Sequence, residues 1–356
     1  MCFYEALQLD PAVLKNHIRT ASGKEKLWFI KALIVRDILL VGFSILFISA
    51  LTAIFGNENS SMAVVIFCIL LSTRFVSFGY KISHSLFNFA VVFALLFISP
   101  VLIGNTGAFV GFLINFISIA VITAITCENP EMGNGGLYVF GYIFLSGNPV
   151  SGEALANRGL MAAAGYAMCA AVMFFKHKHK HNEVSFIHVV GKFSIYDPKC
   201  QWQIQLALGI SLLYLVNSIV DLDRFMWAGF ACSSLLASYP SNINGRMCDR
   251  AAGVVIGSVM FGIVYHFIPE WILPFLGPAA GLCLGVCSDY KYKTVFNCFG
   301  ALLLASSVYG VKGAAAIRVI DNMLGILFAF LFFTAYRKIF IEKLLKCGKE
   351  ECVSDI

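Results

Sequence analysis

Charged side chains inside long apolar runs are the first indication of function in this sequence, because charge is costly there and is kept for a purpose. Arg158 and Arg318 lie 160 residues apart, each at the start of the last apolar run in its half of the chain. A guanidinium stays charged and binds a carboxylate through two parallel hydrogen bonds. The pair therefore predicts a site for an organic anion. The alternative interpretation is that both side chains extend outward to lipid headgroups.

The residues that follow Arg318 add a group that can titrate. Asp321 comes three residues later on the same helix face, so it either holds the guanidinium in place or exchanges a proton when substrate arrives. Ion pairing alone is the simpler of the two explanations. Asn322 stands beside Asp321, and we assign it to substrate binding together with Arg158 and Arg318.

The Asp249-Arg250 pair begins another apolar run. We expect this pair to act in proton coupling or as an inner gate, or else only to mark the boundary of a span. The Arg36-Asp37 pair begins the first run in a similar way. Gly253 and Gly257 follow Arg250 with the GxxxG spacing that lets two helices approach closely, and we interpret them as packing residues.

Composition limits the class of protein that can carry these residues. The chain has 356 residues, of which 59% are hydrophobic and 13% are charged, and its mean hydropathy is +0.81. Soluble domains contain about 25% charged residues. This chain therefore lacks the polar surface of a cytosolic enzyme, a disordered chain or a nucleic-acid-binding domain. We predict an all-α, multi-pass membrane protein whose partners are membrane lipid and a small organic anion, and not nucleic acid.

The sequence contains no pattern that favours an enzyme. The stretch Gly133-Asn134-Gly135-Gly136 is glycine-rich, but no Lys-Ser or Lys-Thr follows it as in a phosphate-binding loop. His177, His179 and His181 alternate with lysines, whose ammonium groups repel a metal cation. That stretch is typical of a basic linker that attracts anionic lipid. We expect no catalytic residue, no metal and no cofactor.

Apolar runs must position the charged residues, and a span needs about 20 apolar residues. Six runs in the first half and six in the second are predicted to form about twelve transmembrane segments: Leu33–Phe55, Ser60–Thr73, His84–Ile103, Thr106–Thr126, Leu137–Gly147 and Leu155–Phe175, then Gln201–Leu222, Phe225–Tyr239, Asp249–Ile268, Ile272–Ser288, Thr294–Tyr309 and Ile317–Phe340. The second, fifth and eighth runs are short, which predicts half-helices or re-entrant segments.

Positive charge predicts the orientation of these segments. With six spans in each half, 22 of the 26 Lys and Arg residues fall on one side of the membrane, and the positive-inside rule makes that side cytoplasmic, together with both termini. The predicted organisation is a cytoplasmic amphipathic segment (1–31), a first transmembrane repeat (32–175), a basic cytoplasmic linker (176–200), a second transmembrane repeat (201–340) and a cytoplasmic tail (341–356).

Two further patterns refine this organisation. An even number of spans in each half makes the repeats parallel, as in transporters that bind substrate where their repeats meet. The glycine pairs Gly165 and Gly325, and Gly141 and Gly300, recur at offsets of 160 and 159 residues. Near the N-terminus, Asp10 is predicted to cap a helix that lies on the membrane surface before the first span.

One region of the sequence resembles a known family. From Asp249 to Val259 the chain reads Asp-Arg-Ala-Ala-Gly-Val-Val-Ile-Gly-Ser-Val, after Trp227, Ser233 and Arg246. This stretch resembles the second transmembrane half of the fusaric-acid-resistance (aromatic acid exporter) family, with its Arg-x-x-Gly-x-x-x-Gly pattern. The stretches 57–63 and 147–150 are similar to the first half of short family members from Gram-positive bacteria.

The resemblance implies an exporter of aromatic or other organic carboxylates in the cytoplasmic membrane, driven by the proton gradient. Plant malate channels are similar in having a six-span unit, so a passive organic-anion channel is the alternative function. Larger Gram-negative relatives carry a cytosolic domain where this chain has the short linker 176–199. Assembly as a homodimer and a structural role in the cell envelope both stay open.

Overall fold

The computed structural model describes residues 1–220, 223–239 and 242–341, and every regular element in these ranges is helical. The helices are α1 (Phe3–Leu7), α2 (Pro11–Thr20), α3 (Gly23–Phe55), α4 (Ser60–Thr73), α5 (Ile82–Gly104), α6 (Ala108–Thr126), α7 (Asn134–Ser146), α8 (Gly152–His177), α9 (Phe186–Gly191), α10 (Pro198–Val220), α11 (Met226–Leu236), α12 (Ile243–Phe267), α13 (Leu273–Val286) and α14 (Tyr290–Tyr336). The predicted tail, from residue 342 onward, lies outside the described residues.

Within the described residues, seven helical stretches are long and apolar enough to cross a membrane. They are α3, α5, α6, α8, α10, α12 and the continuous stretch Tyr290–Phe340. The prediction of an all-α, multi-pass membrane protein is therefore confirmed at the level of helix type and span length.

Several of the remaining apolar helices are too short for a full crossing. The helices α4, α7 and α11 have 14, 13 and 11 residues, or roughly 17–21 Å against a hydrocarbon core of about 30 Å. The prediction that the second, fifth and eighth runs are short is confirmed. The helix α13 also has only 14 residues. The sequence did not indicate this, because the apolar run continues on both sides of the helix.

The helix α14 contains a reversal at Gly310, where φ is 69° and ψ is 165°. Arg250 donates hydrogen bonds both to Tyr290 and to Asn322, which would lie about 48 Å apart on a straight helix. The chain therefore turns back at Gly310 and forms two limbs, residues 290–309 and 311–336. A positive φ of this size is strained for residues with a Cβ atom, which explains glycine at this position.

This reversal corrects the predicted start of the last segment. The sequence placed that start at Ile317. The second limb instead begins directly after Gly310. Arg318 consequently lies about 12 Å along the limb and is not at the start of a span.

The chain forms two compact units. The first comprises Met1–Phe47 and Asn244–Asn322, and the second comprises Ile48–Ile243 and the chain from Met323 onward.

In the first unit, Asp10 caps α2 as predicted, with its carboxylate accepting from the backbone N–H of Ala12 at 2.8 Å. The apolar side of α2, around the buried Leu14, packs on Phe29 and Leu33 of α3. The protein itself therefore covers this side of the helix, and the position of the helix on the membrane surface stays a prediction.

In the second unit, glycines bring helices into close contact. A Cβ atom at Gly165 of α8 would lie 2.5 Å from the side chain of Ile66 on α4. A Cβ atom at Gly325 in the second limb of α14 would overlap the backbone carbonyl of Ala228 on α11. Gly325 therefore marks a point where two helix backbones touch directly, whereas Gly165 leaves room for the side chain of Ile66.

Candidate functional site

The guanidinium of Arg158 is enclosed by protein oxygens, in an arrangement that we call the first arginine site. Nε donates to Asn59 Oδ1 at 3.0 Å, and Nη1 donates to the carbonyl of Asn148 at 2.8 Å. Nη2 donates to the carbonyl of Glu58 at 3.3 Å and to the hydroxyl of Ser61 at 3.2 Å. All four acceptors are neutral. They occupy four of the five N–H donors that a guanidinium offers.

The same contacts explain how the first arginine site is built. The carbonyls of Glu58 and Asn148 belong to the turns that follow α3 and α7, and a cation is favoured near the C-terminal ends of helices. Asn59 is itself fixed, since its amide donates to the carbonyls of Phe55 and Ala154 at 2.9 and 3.0 Å. Arg158, which is 4% exposed, thus ties the two turns that follow α3 and α7 to its own helix, α8. It does not extend to the surface of the protein.

A second cluster, which we call the second arginine site, contains Arg250, Tyr290, Arg318, Asp321 and Asn322. Arg250 is 9% exposed and donates from Nη1 to the Tyr290 hydroxyl and from Nη2 to Asn322 Oδ1, both at 3.1 Å. Both acceptors are neutral. Its Nε is buried and has no hydrogen-bond partner among the residues that the structure describes. This guanidinium therefore retains donors that a ligand can use.

Arg318 lies in the same site and is 6% exposed. Its electrostatic neighbours include the Arg250 guanidinium, the Asp321 carboxylate and the Cys298 thiol, and Cys298 also shares a side-chain hydrogen bond with it. Asn322 connects the two arginines, because its Nδ2 donates to the carbonyl of Arg318 at 2.8 Å while its Oδ1 accepts from Arg250. The site thus brings two cations and one carboxylate together inside the protein.

The GxxxG spacing on α12 positions Arg250. A Cβ atom at Gly253 would lie 2.7 Å from Thr294 Cβ, and one at Gly257 would lie 2.6 Å from the carbonyl of Val295. The interpretation of these glycines as packing residues is therefore confirmed. Because α12 touches the first limb of α14 so closely, Arg250 can reach Tyr290 at the start of that limb.

A further cation supports the aromatic ring of the site. The guanidinium of Arg246, one helical turn before Arg250, lies over the ring of Tyr290 at 4.2 Å from its centroid. This is the geometry of a cation–π interaction. It holds the ring while the hydroxyl of Tyr290 accepts from Arg250.

The residues that the sequence grouped together belong to two different units. Arg318, Asp321, Asn322 and Arg250 share the second arginine site, whereas Arg158 stands alone among neutral acceptors. Asp249 is half-buried beside Arg250. The outward orientation toward headgroups, which the sequence left open for both arginines, is not observed, since both guanidiniums are buried in the protein.

Two members of the site had no clear sequence signal. Tyr290 stands in a basic stretch before an apolar run, so it resembled a residue of the membrane boundary. Cys298 resembled a small apolar core residue, and it is indeed fully buried. In residues 1–220, 223–239 and 242–341, no group of three or more His, Cys, Asp or Glu side chains could hold a metal ion.

The long apolar helices and the buried charged cluster define a multi-pass α-helical membrane protein. Residues 208–332 match the model of the fusaric acid resistance protein-like family. The chain therefore carries a domain of that family over this segment, and the resemblance seen in the sequence is confirmed there. No curated protein and no solved structure matches the chain.

The matched segment contains the whole second arginine site and excludes Arg158. A match to this family implies a role in transport or efflux. Arg250 and Arg318 therefore both lie within the segment to which the match applies.

Proposed function

We propose that this protein is a proton-coupled secondary transporter that exports organic anions, with aromatic carboxylates as the favoured class, across the cytoplasmic membrane. The observation that carries the proposal is the buried Arg250 guanidinium. It lies beside a second guanidinium, that of Arg318, and its own hydrogen-bond acceptors are both neutral.

A carboxylate substrate suits the charge of this site. An ionised group buried in protein costs several kcal/mol unless an opposite charge compensates it. The second arginine site contains one carboxylate, Asp321, for two guanidiniums, so an anion improves its electrostatic balance. The free Nε and an N–H of Nη2 of Arg250 form one edge of the guanidinium, which is the edge that binds a carboxylate with two parallel bonds.

The remaining residues take distinct roles in this proposal. Arg318 supplies the second positive charge, and Asn322 orients both arginines while it contacts substrate. Asp321 and Asp249 bind and release protons or gate the inner side. For Arg158 the contacts favour a supporting role, because protein oxygens already occupy four of its N–H donors.

We further propose twelve membrane segments in two parallel six-segment repeats, with both termini in the cytoplasm. The equivalent packing of Gly165 and Gly325 supports the repeat. Each brings the sixth helical segment of its half against the second helical segment of the same half. The 22 cytoplasmic Lys and Arg residues support the orientation.

The test is transport in proteoliposomes with labelled benzoate, cinnamate, malate and succinate, with and without an imposed pH gradient. We expect movement of an aromatic carboxylate against its own gradient when the pH gradient is present. The Arg318→Ala variant should lose this movement while it still inserts and purifies as a folded protein. Arg74→Gln, which removes an exposed arginine, is the matched control and should transport at the wild-type rate.

Other outcomes separate the alternatives. Downhill movement that follows voltage and ignores the pH gradient would identify a passive anion channel. Undiminished transport by the Arg318→Ala variant would remove this residue from the substrate site. No movement of any carboxylate would contradict the proposed function.

A further inference from the structure

Asp37 is a buried carboxylate that the second arginine site does not use. It lies on α3 and is 3% exposed, and within the described part of the chain its Oδ1 has no hydrogen-bond partner. Asp37 follows the start of the first predicted apolar run by four residues, which corresponds to about 6 Å along the helix. A buried carboxylate oxygen without a donor is unusual, because desolvation of a charged oxygen costs much more than a hydrogen bond returns.

The helix α13 leaves room for this carboxylate by means of a glycine. A Cβ atom at Gly285 would overlap Asp37 Oδ1. One turn earlier on α13, a Cβ atom at Gly281 would make only ordinary contact with Val41, at 3.7 Å. The carboxyl group of Asp37 therefore occupies the space that the missing side chain of Gly285 leaves. At this point α3 and α13 pack directly against each other.

Few charges act on Asp37. Arg36, its neighbour on α3, is the charged group that acts on the carboxylate. From α13, residues 273–286 contribute no charged side chain, and Cys283 is their single titratable group. Beyond the end of α13, Lys15 of α2 donates to Ser288 at 3.4 Å. The Oδ1 oxygen thus faces an apolar helix surface, and no donor in residues 1–220, 223–239 and 242–341 is directed at it.

We propose that Asp37 is a further proton-binding site, in addition to Asp321 and Asp249, and that it is required to couple export to the proton gradient. The proposal rests on the proposed transport function and extends the coupling step to a residue outside the substrate site. A proton from the gradient binds a carboxylate oxygen and gives a neutral carboxyl group, which fits the apolar contact at Gly285. Loss of that proton to the cytoplasm restores the charged carboxylate, and its desolvation cost favours opening of the contact between α3 and α13.

The Asp37→Asn variant tests the coupling, because an amide has nearly the shape of a carboxyl group and does not titrate. Two assays are run in proteoliposomes with labelled benzoate. Exchange of internal for external benzoate needs no net proton movement, whereas accumulation driven by a pH gradient does. We expect the variant to exchange benzoate at the wild-type rate and to lose accumulation. Asp289→Asn, an exposed carboxylate just beyond α13, is the control and should keep both activities.

The outcomes distinguish this proposal from the proposed function. Accumulation by Asp37→Asn at the wild-type level would overturn the role of Asp37 and leave the transporter intact. Loss of exchange together with accumulation, in a folded variant, would also overturn it, because Asp37 would then act in binding or architecture. Failure of the wild-type protein to move any carboxylate would contradict the proposed function itself.

A second measurement on the wild-type protein does not depend on the folding of a variant. Dicyclohexylcarbodiimide is an apolar reagent that adds to protonated carboxyl groups inside membranes, and mass spectrometry locates the adduct. We expect modification of Asp37 that increases as the pH falls, with parallel loss of pH-driven accumulation. Absence of an adduct on Asp37 at every pH at which the protein accumulates benzoate would overturn the proposal. The Gly285→Ala variant should lose accumulation, while Gly281→Ala keeps it.

Discussion

The two arginines that stand 160 residues apart occupy equivalent places in the sequence and very different surroundings in the structure. Arg158 donates four hydrogen bonds to neutral oxygens from two separate segments, residues 58–61 and Asn148. Arg318 has another guanidinium, a carboxylate and a thiol as its electrostatic neighbours. An arginine enclosed by neutral acceptors stabilises the fold, whereas two arginines placed together favour the binding of an anion.

The difference arises from the neighbours and not from the arginines themselves. In the first arginine site, Asn59 and Ser61 come from the beginning of the second helical segment and take up the guanidinium donors. In the second arginine site, α12 approaches α14 through Gly253 and Gly257, and this approach introduces Arg250. The proposed repeats therefore share a framework, and their functional difference depends on which helix supplies the contact.

Substitution of Arg158 should have the largest effect, and the effect should be on stability. The Arg158→Gln variant removes most of four hydrogen bonds and leaves buried oxygens without donors, so we expect the free energy of unfolding to fall by about 3 kcal/mol. Thermal unfolding in detergent measures this change. Transport per folded molecule should remain at the wild-type rate.

The control for this prediction is Lys312→Gln, which removes an exposed cation and should leave the unfolding temperature unchanged. An Arg158→Gln variant that is as stable as the wild type but fails to bind benzoate would contradict the assignment of different roles to the two arginine sites. Arg158 would then be a substrate residue, as the sequence first predicted.

Substitution of Arg250 should have the next largest effect, and the effect should be on binding. The Arg250→Gln variant loses a charge-assisted contact to the substrate carboxylate, for which we expect about 2 kcal/mol, or about 30-fold weaker benzoate binding. The variant should unfold at a temperature close to that of the wild type, because it also relieves the repulsion between two buried guanidiniums. Equilibrium binding of labelled benzoate, with thermal unfolding of the same sample, checks both parts.

A result in which Arg250→Gln destabilises the protein and leaves benzoate affinity unchanged would make the two arginine sites alike. Both would then be structural. The anion site would have to lie elsewhere in the chain.

Local features of this fold could be predicted from sequence, because they depend on residues close together in the chain. The cap at Asp10, the short second, fifth and eighth segments and the packing glycines on α12 all follow from local composition and spacing. The sequence placed the start of the last segment at Ile317, several residues after the reversal at Gly310, since no residue nearby distinguishes a tight turn between two limbs from a longer connection.

The candidate site was predictable only in part. The sequence places Asp321 three residues after Arg318, with Asn322 beside it, and this spacing predicts that Arg318 and Asp321 share a helix face. The contact from Arg250 to Asn322 joins residues 72 positions apart and depends on the reversal at Gly310. Asp37 resembled a boundary residue because Arg36 precedes it, and its burial depends on the fit of Gly285 on a distant helix.

The packing glycines give the smallest expected effects and test the proposed repeat directly. A methyl group at Gly325 would meet the backbone carbonyl of Ala228, which cannot rotate away, so we expect Gly325→Ala to destabilise the protein by about 2 kcal/mol. At the equivalent Gly165 the methyl group would meet the side chain of Ile66. Because a side chain can adjust, we expect Gly165→Ala to destabilise the protein by only about 1 kcal/mol.

Gly300 provides the matched control, because nothing lies within 4 Å of a Cβ atom at this position. Alanine restricts the unfolded chain more than glycine does, so Gly300→Ala should stabilise the protein by about 0.5 kcal/mol. Thermal unfolding of the three variants measures their stabilities, and we expect Gly325→Ala to be the least stable and Gly300→Ala the most stable. If Gly325→Ala and Gly165→Ala behave like Gly300→Ala, the two glycines do not mark equivalent helix contacts. The argument for a repeated framework around two different arginine sites would then lose its structural support.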